Sequence, residues 1–369
     1  MQVLQICHSY YPPFLDCARQ YAALFHGSEH QVVTVYLTGE EDAEVARKTC
    51  SDKVIFLGYK SRQVRGLKLG AIAKLRQIIR DHHFAFCIAH RVKPTYVALL
   101  ASKLPVISVH HNYNDYTRLS RRWFINFFKN RLLMLGVSDS VRDDLRRDLS
   151  TWPLEEIQTL YNRIDVEATK ADMLGKTEAR QFLGLPDSAW VIGNVGRLHH
   201  DKDQKTLIHA FHDALPKLPN NSLLVIMGAG PLELTLKALV ASLDISGRVI
   251  FTGNIKDGRK YFKAFDVFAL TSDREPFGMV LLEAMAAELP LICADCGGGA
   301  EVVRGVGTLF PFGDHHVLAQ NIIDVYNSNS TTSSLLIEKL NSHFSDEAVR
   351  SNFWKIPWVS KFIHLTNKS

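Results

Sequence analysis

The stretch VFALTSDREPFGMVLLEAMA, residues 267–286, places a strand, a turn and a helix in immediate succession. Its first part, VFALTS, is an apolar run with the length of a buried strand. Pro276 is expected to open the helix that follows, because the N–H that proline lacks would be unpaired in a first helical turn. A strand that leads at once into a helix is the repeating unit of a parallel α/β sheet.

The same unit recurs along the chain of 369 residues. Runs rich in Val and Ile alternate with helical periodicity, which is typical of parallel strands covered by helices on both faces. The pattern stops in an irregular polar stretch at about 150–185 and then begins again. The predicted strands are 3–7, 31–37, 53–58, 85–90, 106–111 and 133–138 before that stretch, and 190–196, 222–228, 248–253, 267–272, 289–295 and 306–310 after it.

The sequence therefore predicts an α/β protein of two Rossmann-like domains with parallel sheets, facing each other across an interdomain cleft. We expect an N-terminal domain at 1–165 and a C-terminal domain at 166–349, both of ordinary domain length. The aromatic-rich segment at about 350–369 is expected to pack back on the first domain. The polar run NSNSTTSS, residues 327–334, is expected to be a surface loop. Ligands of such sheets bind beyond the carboxyl ends of the strands, where the functional residues should lie.

Charge is distributed unevenly along the chain, whose net charge is +5. Residues 1–165 contain 23 Lys and Arg residues against 16 acidic ones. This excess favours an anionic partner, such as a phosphorylated acceptor or an acidic membrane surface. No nucleic-acid-binding motif accompanies the basic residues. No apolar run is long enough for a transmembrane helix, and the N-terminus is interpreted as a strand and not as a signal peptide.

Six cysteines are scattered through the chain without the spacing of a zinc site. Cys293 and Cys296 form a single CxxC at the end of an apolar run, and two buried thiols are favoured there over a redox or metal site. We therefore expect a reduced, cytoplasmic protein.

Two acidic residues flank the turn between the predicted strand and helix. Glu275 lies before Pro276, and Glu283 lies one turn beyond Met279 on the same helix face. Gly278 leaves the backbone open, so the free amides at the helix start can bind a diphosphate or sugar hydroxyls. A carboxylate that accepts two hydrogen bonds suits the paired hydroxyls of a ribose. Taken singly, either acid has the alternative of an ordinary solvated or helix-dipole residue.

Two cations follow the first strand of the second domain. Arg197 comes directly after that strand and Lys202 five residues later, and together they can neutralise a diphosphate. Ordinary surface charge is the alternative for both. The next strand ends in GAG, residues 228–230, a tight turn that lets a nucleotide approach the backbone. This turn matches a dinucleotide fingerprint only in part, because Glu233 stands where that motif requires Gly or Ala.

Together these motifs resemble the family 4 glycosyltransferases, a retaining class with the GT-B fold. The resemblance covers most of the chain and is strongest between residues 190 and 310. Its most specific part is the EPFG run with a second Glu eight residues on. The matching segments are GRL (196–198) with Lys202, GAGP (228–231), FTG (251–253), EPFGMVLLEAMA (275–286) and GGGAEVV (297–303).

The resemblance implies roles for individual residues. Arg197 and Lys202 would bind the donor diphosphate, and Glu275 would bind the hydroxyls of the donor sugar. Glu283 would hold the ribose, and His110, at the end of a strand in the first domain, would lie beside the reacting sugar. For His110, a structural histidine at a strand end is the alternative. The remaining donor-binding positions are Gly228, Gly230, Gly253, Ile255, Phe277, Gly278 and Met279.

Two places depart from the family's pattern. Arg163 stands in YNRIDV where the family has the glycine of an Asn-Gly-Ile-Asp hinge. Asp16 and Cys17 fall where the family has a Gly-Gly pair whose amides approach the phosphate and the acceptor, and glycine permits that close approach. Arg19 is a candidate for the lost anion contact.

The segment RRWFINFFKNR, residues 121–131, combines aromatic residues with cations. Its four aromatic residues share helical spacing, which favours a helix packed on the sheet. The alternative is a helix lying at a membrane surface, where a lipid-linked acceptor is presented. The basic segment KSRQVRGLKLG, residues 60–70, would then contribute to the same surface.

The resemblance implies retaining transfer of a hexose or similar sugar from a nucleoside-diphosphate donor to a glycan or lipid-linked acceptor, in envelope polysaccharide or lipopolysaccharide synthesis. No metal site is predicted, so Arg197 and Lys202 would take the role of a metal, and no cofactor is expected. We expect a cytoplasmic location, contact with the inner face of the cytoplasmic membrane, and no nucleic-acid partner. Three alternatives stay open: a sugar-nucleotide epimerase, a dehydrogenase that uses the GAGPLE turn, and a non-catalytic nucleotide-sugar-binding subunit.

Overall fold

The computed structural model of the protein describes residues 1–11, 13–328 and 333–366. The chain forms two compact units. The first unit comprises Met1–Arg163 together with the chain from Asp346 onward, and the second is Ile164–Ser345. Part of the predicted polar loop at 327–334, and the last three residues of the predicted C-terminal segment, lie outside the described residues.

Each unit is built on one sheet, and every pairing between its strands is parallel in the part of the chain that is described. The strands are β1 Gln2–Cys7, β2 Gln31–Thr38, β3 Lys53–Tyr59, β4 Phe84–His90, β5 Val106–His110, β6 Leu132–Gly136, β7 Ile157–Thr159, β8 Val191–Val195, β9 Leu223–Met227, β10 Val249–Gly253, β11 Val267–Leu270, β12 Leu291–Ala294 and β13 Thr308–Phe310. The first sheet has the order β3-β2-β1-β4-β5-β6-β7, and the second has the order β10-β9-β8-β11-β12-β13.

Helices connect the strands, as parallel pairing requires. They are α1 Phe14–Ala22, α2 Ala43–Thr49, α3 Leu69–Arg80, α4 Val92–Ala101, α5 Leu119–Phe127, α6 Asp139–Asp148, α7 Val166–Asp172, α8 Lys176–Leu183, α9 Gln204–Ala214, α10 Glu233–Ser242, α11 Met279–Ala286, α12 Gly297–Val303, α13 His315–Asn327, α14 Ser333–Lys339, α15 Asp346–Lys355 and α16 Pro357–Thr366. Side chains that accept from backbone N–H groups begin several of them, among them Asp42 at α2, Ser138 at α6 and Asp314 at α13. Within the described ranges, no helix combines the length and the apolar composition needed to cross a membrane.

The prediction of parallel α/β sheets is confirmed, and all twelve predicted strands lie over observed ones. Two local predictions need correction. The stretch at 150–185 contains β7, α7 and α8, and β7 escapes notice because it has only three residues, with Ile157 alone buried. Pro276 does not open the helix, and α11 begins at Met279. Gly278, directly before it, has a left-handed conformation with φ of 90°, which is incompatible with a helical turn that includes Pro276.

The C-terminal segment belongs to the first unit. Phe353 is fully buried, and its ring lies 5.6 Å from that of Phe25. The indole N–H of Trp354 donates to the carbonyl oxygen of Leu24 at 3.2 Å. Apolar burial and a hydrogen bond together fix α15 against the start of the chain, because a buried indole N–H needs a partner.

Candidate functional site

The loop between β11 and α11 is held in place by the glycine-rich start of α12. The N–H of Gly298 donates to the carbonyl oxygen of Glu275 at 2.8 Å. A Cβ atom on Gly298 would overlap the backbone of Pro276, so only glycine permits this approach. The GGG run at 297–299 therefore positions the turn that contains Glu275, a function that spacing in the sequence does not reveal.

Lys202 and Glu275 lie in direct contact, although 73 residues separate them in the chain. Lys202 Nζ is 2.5 Å from Glu275 Oε2, and the two side chains are only 17% and 13% exposed. Ser272 Oγ lies 3.3 Å from the same carboxylate oxygen. The hydroxyl of Thr271 donates to the carbonyl oxygen of Lys202 at 2.9 Å, which links the loop after β8 to the end of β11. The cation and the acid predicted from separate motifs thus occupy one site.

The glycine turns of the second unit meet through backbone hydrogen bonds. The N–H of Gly228 donates to the carbonyl oxygen of Gly253 at 2.9 Å, and the N–H of Leu198 donates to that of Ala229 at 3.1 Å. A Cβ atom on Gly228 would overlap the carbonyl of Gly196, and its φ of 146° also requires glycine. These bonds bring the predicted positions after β8, β9 and β10 to one edge of the sheet.

Arg197 extends from that edge into solvent. Its side chain is 72% exposed. Among the described residues, Asp201 is the only acid whose carboxylate lies within 4 Å of the guanidinium, at 3.5 Å. Asp201 is in turn held by His199, whose Nδ1 lies 2.5 Å from its other oxygen. The guanidinium is therefore accessible to an anionic ligand.

The other predicted donor residues lie around the same loops. Phe277 is buried against the ring of Phe344, with centroids 5.7 Å apart. Glu283 lies one turn along α11 from Met279 and is partly buried. Ile255 lines a surface cavity of about 470 Å³ whose wall includes the stacked rings of Phe182 and Tyr261.

His110 ends β5 and is fully buried. Its Nδ1 lies 2.7 Å from Asp115 Oδ2, and its Nε2 lies 2.9 Å from Ser108 Oγ. Both ring nitrogens therefore have partners within the first unit, which agrees with the structural alternative. The catalytic assignment of His110 stays a prediction.

The α1 region, where the family's glycine pair is missing, is occupied by paired and buried side chains. Arg19 lies 3.1 Å from Asp16, so the proposed anion contact would have to compete with this carboxylate. Arg163, which replaces the hinge glycine, is buried. Its Nε donates to the carbonyl oxygen of Gln20 at 2.8 Å, and its guanidinium contacts Asp346. The substitution therefore ties the end of α1 to the start of α15.

A chain of buried polar groups lies beneath these residues and is not evident from the sequence. His90 Nδ1 is 3.1 Å from His111 Nε2, and His111 Nδ1 is 3.6 Å from the Cys17 thiol. Burial lowers the pKa of His90 to about 3 and that of His111 well below its ordinary value, with a further contribution from Arg91. Both imidazoles are therefore neutral in the folded protein.

Buried neutral histidines predict a loss of stability in acid. The unfolded chain binds a proton on His90 near pH 6.5 and the folded chain only near pH 3, so stability is complete above pH 6.5 and falls as the pH drops. Between pH 7 and pH 5 this group should cost about 2 kcal/mol. The free energy of unfolding can be measured by urea denaturation at pH 7 and at pH 5. Its decrease between these pH values should be smaller for His90→Gln than for the parent and for the control His316→Gln. Equal losses in all three proteins would contradict the assignment.

The two cysteines of the CxxC are free thiols. Cys293 is buried, and burial raises its pKa. Burial, together with Asp273, raises the pKa of Cys296 to about 11, and its thiol lies 3.1 Å from the carbonyl oxygen of Ser272. Neither group is activated as a thiolate, which agrees with structural thiols and not with a redox site. The prediction of two buried thiols is correct for Cys293 only, since Cys296 is partly exposed.

Asp213, His315 and His316 have ligand atoms close enough together to hold a metal ion. Asp213 Oδ2 lies 2.8 Å from His315 Nδ1 and 3.3 Å from His316 Nδ1. The aspartate is near the end of α9 and the histidines begin α13, so packing alone unites them. The expectation that Arg197 and Lys202 replace a metal concerns a different part of the unit and stays a prediction.

Comparison with known proteins gives two family matches in succession. The Glycosyltransferase Family 4 model matches residues 15–168, and the model for Glycosyl transferases group 1 matches residues 175–344. A similar relative from Campylobacter jejuni is N-acetylgalactosamine-N,N'-diacetylbacillosaminyl-diphospho-undecaprenol 4-alpha-N-acetylgalactosaminyltransferase. It is 29% identical over 225 residues, which are 58% of each chain.

A second relative is the lipopolysaccharide core biosynthesis glycosyltransferase LpsE of Rhizobium meliloti. It is 31% identical over 182 residues, 48% of this chain and 52% of the relative. The chain thus spans about half the length of the curated relatives it matches.

The crystal structure of Anabaena Alr3699/HepE in complex with UDP and glucose is similar in fold, with a TM-score of 0.77 at 20% identity. The match covers 96% of this chain and 98% of that one. The expected GT-B fold is thereby confirmed. Since the two family models together match most of the sequence, the chain belongs to the glycosyltransferases that combine a Family 4 domain with a group 1 domain.

Proposed function

We propose that the protein is a retaining glycosyltransferase that moves a sugar from a nucleoside-diphosphate donor to a hydroxyl of a glycan or lipid-linked acceptor. The observation that supports this most is the contact of Lys202 with Glu275 beside the exposed Arg197. We assign donor binding to the second unit, Ile164–Ser345, which corresponds to the domain expected at 166–349. Acceptor binding is assigned to the first domain, residues 1–165, with the segment at about 350–369 as part of it.

In this proposal the diphosphate binds to Arg197 and Lys202. The ion pair keeps Lys202 charged and oriented before the donor arrives, and a phosphate oxygen would then share its three ammonium protons with Glu275. Arg197 contributes a planar fork that can donate two hydrogen bonds to one phosphate. As the bond to the sugar breaks, both cations stabilise the charge that develops on the departing diphosphate.

The remaining donor contacts are assigned to the loops around this ion pair. Glu275 accepts hydrogen bonds from sugar hydroxyls, while the amides of Phe277, Gly278 and Met279 donate to the donor. Glu283 holds the ribose. The cavity beside Ile255, which follows Gly253, is assigned to the base, because its stacked rings offer an apolar wall to a planar group.

Retention requires that the acceptor oxygen reach the anomeric carbon from the face that the diphosphate leaves. The acceptor hydroxyl forms the new C–O bond as the bond to the phosphate oxygen breaks, and its proton passes to that phosphate oxygen. The protein provides charge stabilisation and exclusion of water in this step, with no covalent intermediate on the chain and no metal.

The acceptor is proposed to be a glycan or lipid-linked sugar of the cell envelope, in polysaccharide or lipopolysaccharide synthesis. The names of the two curated relatives, one acting on a diphospho-undecaprenol compound and one in lipopolysaccharide core biosynthesis, support this class. The enzyme would then work in the cytoplasm, at the inner face of the cytoplasmic membrane. UDP is the first nucleotide to test, since the similar Anabaena protein binds it.

Binding of nucleotides can be measured by thermal shift against a panel of nucleoside diphosphates and their sugars. One diphosphate should raise the melting temperature of the parent and fail to do so for Arg197→Ala, while Lys217→Ala, at an exposed position of the same unit, should respond like the parent. Turnover of the matching nucleotide sugar only with an acceptor would support transfer. Conversion without acceptor would indicate an epimerase, and binding without any turnover would indicate a non-catalytic subunit.

A further inference from the structure

The central stretch of the first unit's sequence, residues 53–138, is strongly basic. Residues 53–138 contain sixteen Lys and Arg residues and only two acids, Asp81 and Asp115. Asp115 is already engaged, since its carboxylate lies 2.7 Å from His110. Such an excess of one sign creates a positive potential that attracts an extended acidic surface.

Helix α5 in this region has large apolar side chains on its outer face. Leu119, Trp123 and Phe127 follow one another at intervals of four residues, so they form one stripe along the helix. They are 77%, 77% and 76% exposed. Ile125, on the opposite face, is the residue that the helix buries. The aromatic spacing favoured a helix packed on the sheet, but two of its aromatic residues are directed to solvent.

A second pair of exposed apolar residues lies beside this helix. Leu67 and Leu69 are 67% and 68% exposed and flank Lys68. Lys68 Nζ lies 4.4 Å from the ring centroid of Tyr96, and the Tyr96 ring is 4.7 Å from that of Phe124 in α5. These contacts link the start of α3 to α5 through Tyr96 of α4, and on this basis we group the exposed side chains of both elements in one region.

The orientation of α5 is fixed by polar contacts on its inner side. Arg122 Nε donates to the carbonyl oxygen of Tyr116 at 2.7 Å, and its guanidinium is 3.2 Å from Asp148. The indole N–H of Trp152 donates to Asn126 Oδ1 at 2.6 Å. Because rotation of the helix would break these bonds, the apolar stripe is held outward.

We propose that these apolar residues form a docking face for an anionic phospholipid surface. The apolar face consists of Leu67, Leu69, Leu119, Trp123 and Phe127. Its side chains would enter the boundary between headgroups and acyl chains, as those of an interfacial amphipathic helix do. Neighbouring cations, among them Arg118, Arg121 and Lys68, would contact acidic headgroups.

A lipid surface fits this face better than a second copy of the chain. The face lies within the most basic part of the sequence, and two such faces brought together would repel each other. Aromatic and long basic side chains in combination are typical of membrane interfaces. Docking on lipid would bring the first unit to a lipid-linked acceptor. This purpose of the docking face rests on the proposed function.

Vesicle flotation with the full-length protein tests the apolar face. The parent should float with vesicles of phosphatidylcholine mixed with phosphatidylglycerol, and not with phosphatidylcholine alone. The double variant Trp123→Ser/Phe127→Ser should bind at least about tenfold more weakly, the effect of losing even one large buried apolar side chain. Leu234→Ser, at an 82% exposed position of the second unit, should bind like the parent. Equal melting temperatures would show that the variants are folded.

Charge variants test the electrostatic part. Arg65 is exposed and lies two residues before Leu67, and Arg118 is exposed and directly precedes Leu119. Arg65→Gln/Arg118→Gln should weaken binding to the anionic vesicles by about fivefold for each cation that reaches the surface, and added salt should reduce the difference. Lys205→Gln/Lys217→Gln, which removes two exposed cations of the second unit, is the matched control.

Three results would overturn the proposal. The first is failure of the parent to float with anionic vesicles, and the second is unchanged flotation of Trp123→Ser/Phe127→Ser. The third is a dimer in solution that this variant abolishes, because the face would then be a contact between copies. Nucleotide thermal shifts separate this proposal from the proposed function, because the Trp123→Ser/Phe127→Ser variant should retain the parent's response to nucleotide. Loss of flotation with normal nucleotide binding is thus distinct from a failure of the donor site.

Discussion

Replacement of Lys202 by Ala is expected to lower kcat for sugar transfer by about 10²–10³-fold, the usual effect of removing one group that stabilises charge in a transition state. The leaving diphosphate would lose its ammonium partner, and Glu275 would lose the contact that orients it. Steady-state kinetics with the donor identified by thermal shift can measure this. The expected loss lies mainly in kcat, because the interaction strengthens as the bond to the sugar breaks.

Lys205→Ala is the matched control for that variant. Lys205 lies three residues after Lys202, in α9, and its side chain is exposed. It is not among the residues assigned to donor binding. It should transfer sugar at the parent rate. Glu275→Ala should be as inactive as Lys202→Ala, and the double variant should be little worse than either, since the two residues act as a unit. Parent-like activity in either single variant would refute the donor site.

Replacement of Gly298 by Ala is the second change with a large expected effect. The added Cβ would overlap the backbone of Pro276 and approach Phe277, and backbone atoms cannot move aside as the end of a flexible side chain would. Overpacking of this kind costs about 1–3 kcal/mol in the free energy of unfolding. The turn that positions Glu275 would also shift, so donor affinity should fall together with the melting temperature.

Gly247→Ala provides the control for this steric argument. A Cβ at Gly247 would meet nothing within 4 Å. That variant should match the parent in both melting temperature and nucleotide binding. If Gly298→Ala behaved like Gly247→Ala in both measurements, the close approach between the GGG run and the EPFG turn would have no energetic consequence, and its positioning role would be excluded.

The fold follows closely from local pattern. Unbroken runs such as those of β1 and β9 are buried on both faces, so their composition alone distinguishes parallel strands. A very short strand cannot be recognised in this way. Strand β7 has three residues and one buried side chain, so it shows no apolar pattern. The helix start at Met279 was misplaced because proline chemistry favours a first turn at Pro276, whereas the left-handed Gly278 delays it.

The sequence named candidate site residues but not their arrangement. Motif spacing made Lys202 and Glu275 candidates for donor binding, but their contact depends on the packing of two loops 73 residues apart. The chain from Cys17 through His111 to His90 joins α1, the residue after β5 and the end of β4, and no periodicity links them. The role of Arg163 was likewise hidden, because its partners Gln20 and Asp346 are distant in sequence.

By itself the sequence determined that the chain forms parallel α/β sheets, and its motifs identified the glycosyltransferase family. These properties depend on burial periodicity and turn chemistry, which act over a few residues. Only the tertiary structure decided which charges meet, which histidines are buried, and that Trp123 and Phe127 are directed to solvent. Such outcomes depend on which distant elements pack together, and a helical repeat of aromatic residues is the same whether its apolar side meets the core or the exterior.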